Sequence, residues 1–320
     1  MKYDIIGDIH GEAGKLDRLL AKLGYETSND SWFHKERMAI FVGDFIDLGP
    51  EQLRTVCTVK RMVEGGRALA VMGNHEFNAI AWHTPDPQKA GEYLRPRFSQ
   101  KWGEKNREMH KAFLSEVESN PAKHSEIIDW FLNLPLWLDL AEIRVVHACW
   151  HQRWMDWLSP QLGQGNRLTR DLMVEASREP RNSEEKDDEN PSVFKAVEAL
   201  TKGIEIELPE GHDFEDKYGN RRTRVRVKWW DLKAETYQSA AMLTQSECDL
   251  LPNSSIPTSA RIGIGNKPTF FGHYWMTGTP KLQSQQAACV DYSAGKGGRL
   301  VAYRFDGESH LSVEKFEYVD

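Results

Sequence analysis

The chain has little cysteine. Its four, Cys57, Cys149, Cys248 and Cys289, fall at no paired spacing in 320 residues. Neither a zinc knuckle nor a disulfide framework is implied, and a reducing compartment fits best. Long apolar runs are missing as well: none approaches the roughly 18 residues that a membrane-spanning helix needs. Positive charge is not in excess, since 41 Lys and Arg stand against 48 Asp and Glu for a formal net charge of −7. Nonspecific nucleic-acid binding wants a basic stripe, so nucleic acid is not an expected partner. A first strand begins within a few residues of Met1, which leaves no room for a signal peptide. A soluble, cytoplasmic protein without membrane contact is expected.

What is present is organised by strands that stop at glycines. Residues 2–7 read as a buried strand. Residues 14–23 carry Leu16, Leu19, Leu20 and Leu23 at helical spacing and are closed by Gly24. A strand at 37–42, a helix at 51–64 and a strand at 67–72 follow, which together predict a parallel α/β sheet. Residues 75–131 read as mostly helical, interrupted at Thr84-Pro85-Asp86-Pro87. A strand at 143–146 ends on His147. Trp150, Trp154 and Trp157 are spaced as a helical packing stripe, and residues 179–191, with six acidic residues, two Pro and no apolar side chain, read as a solvated, mobile loop. Residues 150–222 are taken as an insertion that caps the site, within a single domain spanning 1–320. A strand is expected at 223–228 and another at 267–272, delivering His273. Strands at 287–291, 299–305 and 311–316 are expected to form a largely antiparallel second sheet. A chain of this length can bury about 75% of its unfolded surface and needs no staples.

The chemistry-bearing residues collect just beyond strands: Asp8, His10, Asp44, Asn74, His75, His147 and His273. Ligands in α/β sheets gather at the carboxyl ends of strands. Asp8 and His10, two apart, point to the same side of an extended backbone. Two carboxylates, several imidazoles and one amide exceed what one ion needs and suit two hard or borderline cations. Two metals about 3.5–4 Å apart can clamp a phosphoryl group and acidify a bridging water.

Gly7-Asp8-Ile9-His10-Gly11, Gly43-Asp44-Phe45-Ile46-Asp47-Leu48-Gly49 and Gly73-Asn74-His75-Glu76 resemble the three signatures of calcineurin-like metallophosphoesterases. The likeness is strongest to the phosphoprotein phosphatases and their bacterial relatives that cleave diadenosine tetraphosphate. His147, Gly272-His273, Leu134-Pro135-Leu136 and Val290-Asp291-Tyr292-Ser293 extend the resemblance in register. It implies an α/β sandwich of two mixed sheets flanked by helices. It also implies a first cation on Asp8, His10 and Asp44, with Asp44 bridging to a second on Asn74, His147 and His273. Mn²⁺ is the expected ion, with Fe²⁺ or Zn²⁺ as the alternatives these ligands admit. His75 is implied as general acid, oriented by Asp47, with in-line attack on phosphorus by a hydroxide held between the metals. Glu76 is expected to brace the loop or start a helix.

Three departures bear on substrate. Leu48 stands where phosphoprotein phosphatases carry an Arg that grips the phosphate, and a Leu offers no bidentate fork. Lys228, Arg226, Arg95 and Arg97 are the candidate replacements. Ala148-Cys149 follows His147 where the family has two glycines, and the 150–222 insertion does not align. The resulting expectation is hydrolysis of phosphate monoesters, on phosphoprotein or a small phosphorylated compound. A nucleotide or dinucleoside polyphosphate hydrolase is the alternative, and a binding scaffold without turnover is a third reading.

Overall fold

Ile5 and Ile6 are both fully buried, yet they belong to different hydrophobic clusters. Neighbouring side chains of a strand point to opposite faces, so the strand that carries them, β1 (Lys2–Ile6), is covered on both sides. A computed structural model of the chain describes residues 1–182, 184–215 and 219–320, and the same two-sided burial recurs through it. Ile40 and Phe41, Val145 and Val146, Phe270 and Phe271 split between the two clusters in the same way.

The chain runs from β1 into α1 (Ala13–Leu23), a hairpin of β2 (Glu26–Ser28) and β3 (Ser31–Phe33), then β4 (Arg37–Phe41), α2 (Gln52–Glu64) and β5 (Ala68–Ala70). Helix α1 buries Leu16, Leu19, Leu20 and Leu23, and Gly24, at φ 89°, stops it in the left-handed conformation that glycine tolerates. Next come α3 (Asn74–His83), α4 (Gly103–Met109), α5 (Lys111–Val117), α6 (Pro121–Leu132), β6 (Trp137–Asp139) and β7 (Arg144–Val146). The region after β7 holds α7 (Gln152–Leu158), α8 (Arg170–Ser177), α9 (Val193–Lys202), β8 (Glu205–Glu207), β9 (Phe214–Glu215), β10 (Arg221–Arg222) and β11 (Arg224–Arg226). After α10 (Tyr237–Ala240) and α11 (Gln245–Cys248), the chain closes with β12 (Thr269–Phe271), β13 (Ala287–Cys289), β14 (Asp291–Tyr292), β15 (Arg299–Phe305) and β16 (Phe316–Val319).

Two mixed sheets form the body. In the first the order is β14-β15-β1-β4-β5, with β16 also on β15; β1, β4 and β5 are parallel, and β15 runs against β1. The second has the order β13-β12-β7-β6, parallel except for β6 against β7. Ile5, Ile40, Val42, Val145, Phe270, Ala288 and Tyr303 fill the space between them, while the outward faces meet the helices. Truncating one of the buried phenylalanines there, such as Phe270, to Ala costs about 3–5 kcal/mol.

Several expectations need correction. The strands at 287–291 and 299–305 do not share a separate sheet. β13 lies parallel to β12 in the second sheet, and the chain then crosses at Val290 so that β14 and β15 complete the first. The last strand is Phe316–Val319, preceded by a short 3₁₀ turn at Val313–Lys315, because Phe316 is the residue that reaches the inter-sheet core. The 223–228 strand lies outside both main sheets: it pairs with β8 in a two-stranded ribbon and bridges to Ala241, and its Val225, with Ile206, joins a satellite core with 234–260. The break near residue 84 runs on to Trp102, and Trp157 is exposed, which leaves Trp150 as the buried member of its stripe. Within 179–191, Arg178 pairs with Glu185, and Asp187 receives Arg224 at 2.7 Å, so the described residues of this acidic loop are tied to their surroundings. Met155, Leu158, Ala196, Val197 and Leu200 of the 150–222 region pack into the outer cluster of the main body.

Candidate metal centre

Because β1, β4 and β5 are parallel to one another, as are β7, β12 and β13, the residues that follow them emerge along common edges. The backbone there turns sharply: His10, Asp44, Asp47 and His273 all have positive φ, between 51° and 70°. Such conformations cost free energy for residues with a Cβ and cluster where side chains must be aimed. Two glycines make room for the aim. A Cβ on Gly73 would stand 2.2 Å from Asp44 Oδ1, and one on Gly272 would stand 2.0 Å from Asp8 Oδ1. Glu76 braces the same turn by accepting the N–H groups of Asp44 (2.8 Å), Phe45 (2.8 Å) and Gly73 (3.0 Å).

Two sets of buried donor atoms result, His10–Asp44–His75 and Asp44–His147–His273, each with its atoms within 4.8 Å of one another and both using Asp44. His10 Nδ1 lies 2.9 Å from the Ile46 carbonyl and His147 Nδ1 2.7 Å from that of Val42. A ring that donates from Nδ1 presents a lone pair at Nε2, the arrangement of imidazoles that hold metals. His147 Nε2 then faces Asn74 Oδ1 at 3.0 Å and Asp44 Oδ2 at 3.3 Å. A divalent cation among these atoms, in place of a proton on Nε2, would be held by all three. Among the described residues, Asp8 Oδ1, His10 Nε2 and both ring nitrogens of His273 are buried without a hydrogen-bond partner, although Asp8 Oδ2 accepts the His273 N–H at 3.0 Å. Buried polar atoms rarely stay unsatisfied, and this donor set of carboxylate, imidazole and amide fits a pair of divalent cations.

Electrostatics agree. Burial, with Asp291 and Asp44 nearby, pushes the Asp8 carboxyl well above its ordinary range. Burial would do the same to Asp44, but the His147, His75 and His10 rings around it hold it well below. Burial and the Asp44 charge lift Glu76 to about 7. Beside this group, His75 Nδ1 meets Asp47 Oδ2 at 2.6 Å, while its Nε2 points inward, 3.9 Å from Asp44 Oδ2. Burial disfavours the imidazolium, yet Asp44 and Asp47 together raise His75 to about 9.

A model of the calcineurin-like phosphoesterase family matches residues 1–201, more than half of the chain. The chain belongs to that family. Among curated relatives it is similar to the bis(5′-nucleosyl)-tetraphosphatase PrpE (asymmetrical) of Oceanobacillus iheyensis, at 32% identity over 149 residues, covering 46% of this chain and 55% of that protein. It is also similar to the protein of the same name from Bacillus velezensis, at 41% identity over 155 residues, covering 46% and 56%. The chain thus spans about half the length of these relatives. Among solved structures, the cold-active protein-tyrosine phosphatase of a psychrophilic Shewanella covers all of this chain and 80% of its own at 17% identity, with a TM-score of 0.48.

As a calcineurin-like phosphoesterase, the chain shows where the candidate phosphate cations lie. Arg95 donates to Asn78 on α3 and stands close enough to Asp47 and His110 for its charge to act on both. Arg226 lies near His273 and reinforces the effect of burial in depressing its imidazole. Arg97 and Lys228 go elsewhere: Arg97 stacks on Tyr93 at 3.7 Å and on Trp82, and Lys228 donates to the Ser239 carbonyl at 3.2 Å on the satellite core. Three residues at the site were not foreseen. His110 shares Asp47 Oδ2 with His75, at 2.9 Å. Asp291 is buried, accepts the N–H groups of Trp275 (2.6 Å) and Ser293 (2.9 Å), and is pushed to about 6 by burial. Trp275 stacks on His10 with ring centroids 5.0 Å apart and lies beneath Lys296. The Val290–Ser293 motif pointed towards Asp291; His110, 63 residues from Asp47, carries no local signal.

Proposed function

We propose that the chain hydrolyses phosphoanhydride bonds of nucleotides, with dinucleoside polyphosphates as the substrate class. This takes precedence over the monoester reading because the relatives at 32% and 41% identity carry the name bis(5′-nucleosyl)-tetraphosphatase. The observation that carries a hydrolytic centre is the pair of buried donor sets that share Asp44, one of which includes His75, itself held through Nδ1 by Asp47.

In this reading Asp8, His10 and Asp44 hold one divalent cation, and Asn74, His147 and His273 hold a second, with Asp44 common to both. Two such cations supply positive charge against the phosphoryl oxygens and lower the pKa of a water molecule towards neutrality. The protein supplies the rest. Arg95 and Arg226 place the phosphate, and the positive-φ turns fix the donors before substrate arrives. Water attacks phosphorus in line with the departing oxygen and releases a proton to solvent as the new P–O bond forms. That oxygen takes the proton from His75 Nε2 as its bond to phosphorus breaks, and Asp47 keeps the ring oriented and favours its charged form. Mn²⁺ is the first ion to try.

A substrate panel with Mn²⁺ added tests the reading. Faster turnover of diadenosine tetraphosphate than of para-nitrophenyl phosphate or phosphopeptides, nearly abolished by His75→Asn, is the expected result. The reverse order returns the monoester reading. Inactivity across the panel with metals bound returns the scaffold reading.

A further inference from the structure

Between α3, the segment that leads into α4, and the α8–α9 region lies a cavity of about 210 Å³. Phe77 and Asn78, just beyond His75 on α3, form part of its wall, and Lys202 at the end of α9 forms another. Its charge runs against that of the chain. Among the described residues, four cations, Arg95, Arg178, Lys186 and Lys202, line it with two carboxylates, Glu179 and Glu198, in a protein of net charge −7. Arg178 is neutralised by Glu185 and Glu175, and Lys186 by Glu198, which also lies 4.0 Å from Lys202.

Arg95 has no such partner. Its Nη1 donates to Asn78 Oδ1 at 3.0 Å, its Nη2 lies 3.2 Å from Met109 Sδ, and its Nε is buried without a hydrogen bond. Among the described residues no carboxylate pairs with it. Buried charges are normally paired, so a part-buried guanidinium whose hydrogen bonds among the described residues go to neutral groups, with the Asp47 charge acting on it from beyond ion-pair distance, is poised for an anion. The same cavity is walled by aromatic rings, the buried Phe77 and Phe194 and the exposed Trp102, over whose ring Lys101 and Lys105 lie at 4.6 and 5.6 Å. At this size it is smaller than the roughly 300–1,000 Å³ that encloses a whole small ligand, and it has room for one end of one. A single phosphate needs no ring beside it. An anion joined to a flat aromatic group uses both features.

We propose that this cavity takes the distal nucleoside end of a nucleoside polyphosphate, its base stacked on Trp102 and the neighbouring phosphates on Arg95 and Lys202. The inference deepens the phosphoanhydride reading and rests on it for the direction in which the chain of phosphates leaves the metal centre. Stacking on an aromatic ring is tolerant of base identity, so adenine and guanine nucleotides are taken alike.

Calorimetry on the His75→Asn protein with Mn²⁺, titrated with ATP and separately with inorganic tripolyphosphate, tests it without turnover. ATP is expected to bind about tenfold more tightly than tripolyphosphate. Trp102→Ala removes that preference, Trp102→Phe keeps it, and Lys202→Gln weakens both ligands. Equal binding of the two by the parent, or a preference untouched in Trp102→Ala, overturns the proposal, as does a phosphotyrosine peptide that binds at Trp102 more tightly than ATP. The two readings fail separately. A protein that prefers ATP through Trp102 but leaves diadenosine tetraphosphate intact has the cavity without the proposed activity. One that hydrolyses it with no role for Trp102 has the activity without the cavity.

Discussion

Asp47 Oδ2 is shared by two histidines, His75 Nδ1 at 2.6 Å and His110 Nδ1 at 2.9 Å. The carboxyl is held at about 2: burial opposes its ionisation, but the His110 and His75 rings overcome it. A carboxylate fixed by a second ring keeps the first in one orientation. Replacing Asp47 by Asn is therefore expected to lower kcat by roughly 10²–10⁴-fold, the usual range for general acid catalysis. His75→Asn should cost about as much, and the double variant little more than either, because the pair acts as a unit. The loss should grow as the leaving group becomes more basic, which a series of aryl phosphates measures. A loss independent of leaving group would contradict proton donation by His75.

Gly272 bears on the metal centre without being a ligand. A methyl group there would meet Asp8 Oδ1 at 2.0 Å and Val42 Cγ2 at 2.8 Å. Gly272→Ala should displace the Asp8 carboxylate and weaken cation binding at least tenfold, on the scale seen when the supporting residues of a metal site are lost. Calorimetric titration with Mn²⁺ reads this directly. Unchanged affinity would mean that Asp8 does not bind metal through Oδ1.

The cations make a contrast. Arg226→Ala and Arg95→Ala should raise KM or lower kcat/KM, by roughly tenfold or more for a charge-assisted contact. Lys228→Ala, whose side chain serves the satellite core, should leave kcat/KM within about twofold, since exposed substitutions away from a site shift little. Steady-state kinetics on diadenosine tetraphosphate decides, and a large effect at Lys228 would contradict the placement.

Much of this was legible in the sequence because the half of the first sheet made of β1, β4 and β5 is built locally, whereas β14, β15 and β16 come from residues 291–319. β1, α1, β4, α2 and β5 follow one another with glycine stops, so period and breaker residues alone located Asp8, His10, Asp44 and His75. The later strands were harder. β13 and β14 are separated only by Val290 yet lie in different sheets, and no periodicity in so short a run tells which sheet receives it. The four candidate cations were equivalent as residue types. Only packing separates Arg97, sandwiched between Tyr93 and Trp82, from Arg95 beside His110.

Two buried histidines held neutral make stability fall with acid. Burial, with His83 and Arg97 nearby, depresses His124 to about 4, and burial does the same to His151. The unfolded chain binds these protons at about 6.5, so their contribution is complete above that pH and is lost as pH falls towards 4. Each group adds up to about 1.4 kcal/mol per pH unit across that window. Tm measured from pH 7 to 5 should drop, and His124→Leu should flatten the slope. An unchanged slope would contradict a neutral, buried His124.

The central claim is that two cations share Asp44. Metal content per chain, measured by elemental analysis after equilibration with Mn²⁺ and removal of the free ion, tests it most directly. Two ions per chain are predicted, with Asp44→Asn losing most of both and His273→Asn keeping one. A protein that emerges with none, or an Asp44→Asn variant that still carries two, would contradict it.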